Sequence, residues 1–196
     1  MVRSCLVYFF WLITVAACNS NYTVGKKKGY FRIDFPEKKY QEFDQPGYPY
    51  SFQYPVYGVV TKDSTFFEDK AGEWWINIDF PQFSGRIYIS YKDIDNNNRF
   101  DSLRNDAFKM AYKQHVEVST GINEKRILTP NNVGGIFFNL GGNTATANQF
   151  FLTDTTRHFL RGALYFDATP NEDSLSIVND FLRQDLEHLI NTLKWR

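Results

Sequence analysis

Between residues 74 and 91 the chain alternates apolar and polar side chains twice, in WWINIDF and again in GRIYISY, on either side of the turn PQFSG. Successive side chains of a strand point to opposite faces, so Ile76, Ile78 and Phe80 share one face. Ile87, Ile89 and Tyr91 share one face of the next run. A period of two cannot be laid out as a helix, and two such runs across a short turn predict an antiparallel pair. A sheet with one apolar face must then bury it against something else.

The material to cover it follows in sequence. Leu103, Ala107, Met110 and Ala111 recur at helical spacing and predict a helix of roughly four turns to about Val116, with Asp101 or Ser102 as its N-cap. The segment VGGIFFNLGGNTATANQFFLTDTTRHFLRGALYFDA predicts three short strands separated by Gly-Gly-Asn and Asp-Thr-Thr turns. At the C-terminus, Val178, Phe181, Leu182, Leu186, Leu189, Ile190 and Leu193 form one stripe, with Asp180, Arg183, Gln184 and Glu187 facing away. Ser174 or Ser176 is the expected cap. Pro36, Pro46, Pro49 and Pro55 interrupt an aromatic stretch over residues 29–60, which is expected to wrap the core as edge strands and turns. Strands in runs, with helices inserted and appended, predict an α+β domain: a mostly antiparallel β-sheet flanked by helices, ending in an amphipathic helix. Nineteen Phe and twelve Tyr agree with a sheet-rich chain.

The N-terminus carries a different signal. Residues 1–17 place Arg3 before an apolar stretch from Leu6 to Val15 and the small pair Ala16-Ala17. This is the build of a secretory leader, too short to span a membrane as a mature helix. The junction Val15-Ala16-Ala17-Cys18 resembles a bacterial lipobox, in which the cysteine takes a lipid and becomes the acylated N-terminus. Cys5 lies in the leader, so the mature chain would hold one cysteine, without an internal disulfide or a cysteine metal cluster. Two or three acyl chains give a stable anchor where one gives marginal binding. Residues 18–28 then read as a lipidated N-terminus and flexible tether, whose roughly ten residues reach at most about 35 Å when extended. Residues 29–196 read as a single domain. The localisation expected is the cell envelope, lipid-anchored and facing the periplasm.

Charge narrows the partners. Lys and Arg total 22 against 22 acids, and loss of Arg3 with the leader leaves one acid in excess. A nucleic-acid footprint needs a strongly basic face, so none is expected. In DIDNNNRFD, Asp93, Asp95, Asn97 and Asp101 match the oxygen spacing of a calcium loop. Asn98 stands where that loop needs Gly and Arg104 where it needs a bidentate Glu, so a polar turn leading into the helix is the better reading. No metal site and no cofactor are expected.

His115, His158 and His188 are too scattered for a metal motif, and no nucleophile elbow is present. His188 is expected to be exposed. His158 is expected to be half-buried with a hydrogen-bond partner, on a strand with Leu160, Leu164 and Phe166 at the same parity. Arg161 points to the opposite face and, with Asp154, is expected to form an ion pair or a ligand clamp. Arg161, His158 and Asp154 are therefore the candidate partner-docking residues. Trp74, Trp75 and Trp195 fit either core or interface.

Five longer blocks carry a resemblance: GYFRIDFPEKKYQEFD (29–44), PYSFQYP (49–55), WWINIDFPQFSGRIYISYK (74–92), QFFLTDTTRHFLRGALYF (149–166) and PNEDSL (170–175), closing with LKWR. They resemble the GldD gliding-motility lipoprotein family of Bacteroidetes over nearly the whole mature chain. The resemblance implies a membrane-anchored envelope lipoprotein needed by the gliding apparatus, whose operation is tied to type IX secretion. It implies partners among gliding and secretion proteins and membrane lipid through the acylated cysteine. It brings lipidation to Cys18 and no catalytic residue, so a non-enzymatic accessory or assembly component is expected. The order of elements is similar to that of PsbP/Mog1-type sandwiches. The alternatives are a periplasmic enzyme or binding module acting on cell-wall polysaccharide, which needs a facing pair of carboxylates, and a small-ligand or lipid binder, which needs a sizeable apolar cavity.

Overall fold

The computed structural model describes residues 32–62, 72–113 and 117–196. The leader, Cys18, the tether, His115 and Val116 lie outside the described residues. Phe35–Arg196 form one compact unit.

The expected antiparallel pair is its centre. Strand β4 (Ile76–Phe80) pairs with β5 (Gly85–Asp93) through a short 3-10 turn at Pro81–Phe83. Ser84 closes that turn at φ 46°. All six alternating apolar residues are buried on one face. The three later strands also form as expected: β7 (Gly134–Gly142), β8 (Asn148–Thr153) and β9 (His158–Phe166). With β3 (Val59–Lys62) and β6 (Ser119–Leu128) they complete a seven-stranded sheet of order β3-β4-β5-β9-β8-β7-β6, every neighbouring pair antiparallel. Helix α1 (Phe100–Lys113) connects β5 to β6, and α2 (Glu172–Thr192) follows β9. The architecture is α+β with a mostly antiparallel sheet and a C-terminal amphipathic helix.

The proline-aromatic stretch differs from expectation in one respect. Strands β1 (Tyr40–Phe43) and β3 are edges, but β2 (Tyr50–Pro55) is the middle of a second sheet, between β1 and β10 (Lys194–Trp195). The prolines remain harmless because Pro46 and Pro49 precede β2 and Pro55 ends it.

The inner face of the large sheet meets α2 and the small sheet. Ile78, Ile87, Leu160 and Leu164 pack there with Tyr50, Phe52, Leu182 and Leu186. On the opposite, outer face a smaller cluster joins Leu103, Ala107 and Ala111 of α1 to Phe138, Phe151 and Phe159. Met110 departs from the expected stripe: it is 41% exposed. Neither Asp101 nor Ser102 caps α1, because the helix already begins at Phe100, whose ring packs against that cluster. Asp101 instead lies in the first turn, where a carboxylate favours the helix dipole, and pairs with Arg104 at 3.3 Å. Likewise Asn171, not Ser174 or Ser176, caps α2: its extended backbone lets its side chain accept from the Ser174 N–H at 3.2 Å. Gly162 permits close packing within β9, since a Cβ there would lie 2.3 Å from the Phe150 ring.

Candidate functional site

Helix α1 covers the outer face of the large sheet over β6, β7, β8 and β9. Beside it lies an open groove of about 1370 Å³ over β4, β5 and the near side of β9. The register writes its floor as cross-strand rungs. Asp79, Arg86 and Tyr165 share one rung, Tyr88 stands on the next, Ser90 and Arg161 on the third and Lys92 on the fourth. Met110 of α1 and Asp167, just past β9, also line the groove. Groups at the same strand parity face the same way, so β strands that are apolar inside present a polar and aromatic surface here.

Within the groove the charges are unequally satisfied. Asp79 accepts from Arg86 and, at 3.1 Å, from the Thr61 hydroxyl. Arg86 also sits 5.6 Å from the Tyr88 ring, and Tyr88 meets Tyr165 edge-on at 5.6 Å. Arg161 is half-buried, and its partners are neutral: its Nη2 donates to Gln149 Oε1 at 2.6 Å, and it hydrogen-bonds Tyr165. Burial pulls its pKa down from the usual arginine value, with Tyr165 opposing. A guanidinium nevertheless stays charged. The expected Arg161–Asp154 ion pair does not form. Asp154 sits in the β8–β9 turn, where its Oδ1 accepts from the backbone N–H groups of Thr156, Arg157 and His158. Burial pushes the Asp154 carboxyl up, but these three donors and His158 leave it below the ordinary aspartate value.

His158 lies on the inner face of β9, away from Arg161, and is only 4% exposed. The Tyr91 hydroxyl donates to Asp93 Oδ1 at 2.8 Å. A hydroxyl has one proton, so His158 Nδ1–H is the donor in its 2.6 Å contact with Tyr91. The ring stacks on Trp195 at 5.0 Å, and its Nε2 stands 3.9 Å from Asp154 Oδ2. Burial lowers the His158 pKa, partly opposed by Asp154 and Asp93. His158 is thus buried where half-burial was expected, and it has the expected hydrogen-bond partner. The three docking candidates do not converge on one surface: Arg161 alone reaches the groove.

The acidic loop also resolves into separate duties. Asp93 accepts from Tyr91, and Asp95 Oδ1 accepts from the Asn97 and Asn98 backbone N–H groups at 2.7 and 2.6 Å. Asp101 belongs to α1. No group of His, Cys, Asp and Glu able to hold a metal ion occurs among the described residues. Trp74 and Trp75 pack partly buried against the core, Trp75 Nε1 donating to Tyr91 O at 2.8 Å.

One polar centre carries no sequence signal at all. Asp185, on α2, is 1% exposed. It accepts from Lys38 Nζ at 2.7 Å, from Tyr57 OH at 2.5 Å and from Tyr40 OH at 3.1 Å. Burial, reinforced by Asp185, pushes Tyr40 up to about 12. Burial lowers the Lys38 pKa and Asp185 opposes it. His188, expected to be exposed, is half-buried one turn along: it stacks on Tyr40 at 3.5 Å and shares a 2.9 Å hydrogen bond with Gln53 Oε1. The spacing of Asp185 and His188 from the apolar stripe reads as solvent-facing until the 38–57 stretch is known to lie across it.

No helix among the described residues is long and apolar enough to cross a membrane. No curated protein matches the chain. Among solved structures, the solution structure of cyanobacterial PsbP (CyanoP) from Synechocystis sp. PCC 6803 is similar, with 8% identity and a TM-score of 0.47 over 85% of this chain and 98% of that one. Residues 20–195 match the family described as gliding motility lipoprotein GldD, and the chain belongs to that family.

Proposed function

We propose that this lipoprotein is a non-enzymatic accessory of the gliding machinery and of the type IX secretion linked to it. In this reading Cys18 carries the lipid, the folded part faces the periplasm, and other envelope proteins dock on the outer sheet face. The single observation that supports docking there is the lining of the groove. Tyrosine, methionine and arginine, the residue types enriched at protein interfaces, occur together on an open, rigid sheet. Family membership supports the envelope setting. An enzyme acting on polysaccharide would need two available carboxylates facing each other. Of the two carboxylates that line this groove, Asp79 and Asp167, Asp79 is committed to Arg86, which favours docking over hydrolysis.

The test is in-cell crosslinking followed by affinity purification of the intact protein and of Cys18→Ala. Capture of gliding or secretion components by the intact protein, and loss of most of it in the variant, is the expected result, because tethering raises the local concentration for docking. Capture of no envelope protein by either form would contradict the reading.

A further inference from the structure

We propose that the groove over β4, β5 and β9 receives a carboxylate-bearing polypeptide segment of a partner protein, anchored on Arg161. The inference rests on the docking function above and gives it a chemistry.

A guanidinium drawn out of water is normally matched by a carboxylate. Here the contacts to Gln149 and Tyr165 fix the plane of the guanidinium while leaving its charge uncompensated by any carboxylate of the described residues. An arginine has five N–H donors in a rigid fork, and those two contacts leave donors for a bidentate carboxylate. Beside it, the Nε2 of Gln149, a residue 1% exposed, is buried without a hydrogen-bond partner. The Oε1 of the same amide holds Arg161, so its donor end is the orphan.

Lys92 adds a second cation. It stands one rung from Ser90 and Arg161 on the same face, about 7 Å along the strand, and is exposed. Of the groove's other charges, Arg86 pairs with Asp79, and Asp167 lies past Phe166 at the end away from Arg161 and Lys92. A ligand lying along β5 therefore meets positive charge at the Arg161–Lys92 end and aromatic surface from Tyr88 and Tyr165 beyond it. Met110, on the wall, is an adaptable apolar contact. This is the complement of a segment with an acid followed by apolar or aromatic residues. A neutral sugar would leave the guanidinium uncompensated.

The test uses the full lipidated chain in detergent and a fluorescein-labelled peptide alternating glutamate with tyrosine, read by fluorescence anisotropy. A peptide with lysine for glutamate and an oligogalacturonate are run beside it. The acidic peptide is expected to bind, and Arg161→Gln to weaken it more than about tenfold, since truncating a desolvated charge pair acts on that scale. Lys92→Glu, at an exposed position, is expected to weaken it about tenfold. Arg104→Gln, outside the groove, is expected to leave it unchanged. Should Arg161→Gln lose its fold by circular dichroism, Lys92→Glu and Tyr88→Ala read the site alone. Equal binding by variants and parent, equal binding of the lysine peptide, or binding of the galacturonate alone would each overturn the inference. Failure of the peptide while Cys18-dependent capture persists would overturn it and leave the docking function standing.

Discussion

At the scale of single residues, the chain keeps ionisable groups inside its core by giving each a specific partner. His158 is the clearest case. Asp154, Asp93, Tyr91, Arg157 and Trp195 surround its ring, and burial outweighs the two carboxylates in lowering its pKa below 6.5. His188 is lowered in the same direction by burial, against Asp185. In the unfolded chain both histidines take a proton near their ordinary value, whereas in the folded chain they resist it. Below that value the unfolded state binds more protons, so stability is full above about pH 6.5 and declines as pH falls toward the folded pKa values. The unfolding free energy from urea titrations is therefore expected to drop between about pH 7 and about pH 5. A flat profile across that window would contradict this account of the two rings.

At the scale of elements, the contact of α2 with the N-terminal stretch depends on Asp185 more than its surroundings suggest. The carboxylate gathers Lys38, Tyr40 and Tyr57, which flank or lie in β1 and β2, onto one turn of a helix. Removing one partner of a buried ion pair strands the other, so Asp185→Ala is expected to destabilise the fold by about 3–5 kcal/mol. Urea unfolding of the variant measures it, and a loss below about 1 kcal/mol, the value of a surface pair, would show that the cluster is dispensable.

Elements with a clean period were legible in the sequence. The alternation at Ile76–Phe80 and Ile87–Tyr91 and the stripe from Val178 to Leu193 each report one buried face directly. Strand β6 was not, because Glu124, Lys125 and Arg126 run consecutively along an edge that has one neighbour and little burial to enforce a pattern. Such charges also protect an edge from pairing with other chains. Asp185 was hidden for a different reason: a polar residue beside an apolar stripe looks exposed unless its partners, over a hundred positions away, are known. Arg161 was found by strand parity, while its neutral partners and the groove needed the register of three strands.

At the scale of the whole molecule, the two faces of the large sheet have different work. The inner face is sealed by α2 and the small sheet, whereas the outer face is sealed by α1 over only part of its width. The sealed side holds the fold together, and the open side carries the polar and aromatic rungs on a backbone that need not move to bind. A lipid anchor at Cys18 would hold that surface near its partners without adding a contact to it.

The most direct measurement replaces Tyr88, in the groove, with a photocrosslinking residue in the full chain within gliding cells, and Ile177, exposed on α2, in a second strain. Illumination is expected to give defined adducts with envelope proteins from position 88, reduced by Lys92→Glu, and none of the same size from position 177. Adducts from position 177 with none from position 88 would place the docking face on the other side of the molecule and contradict the account.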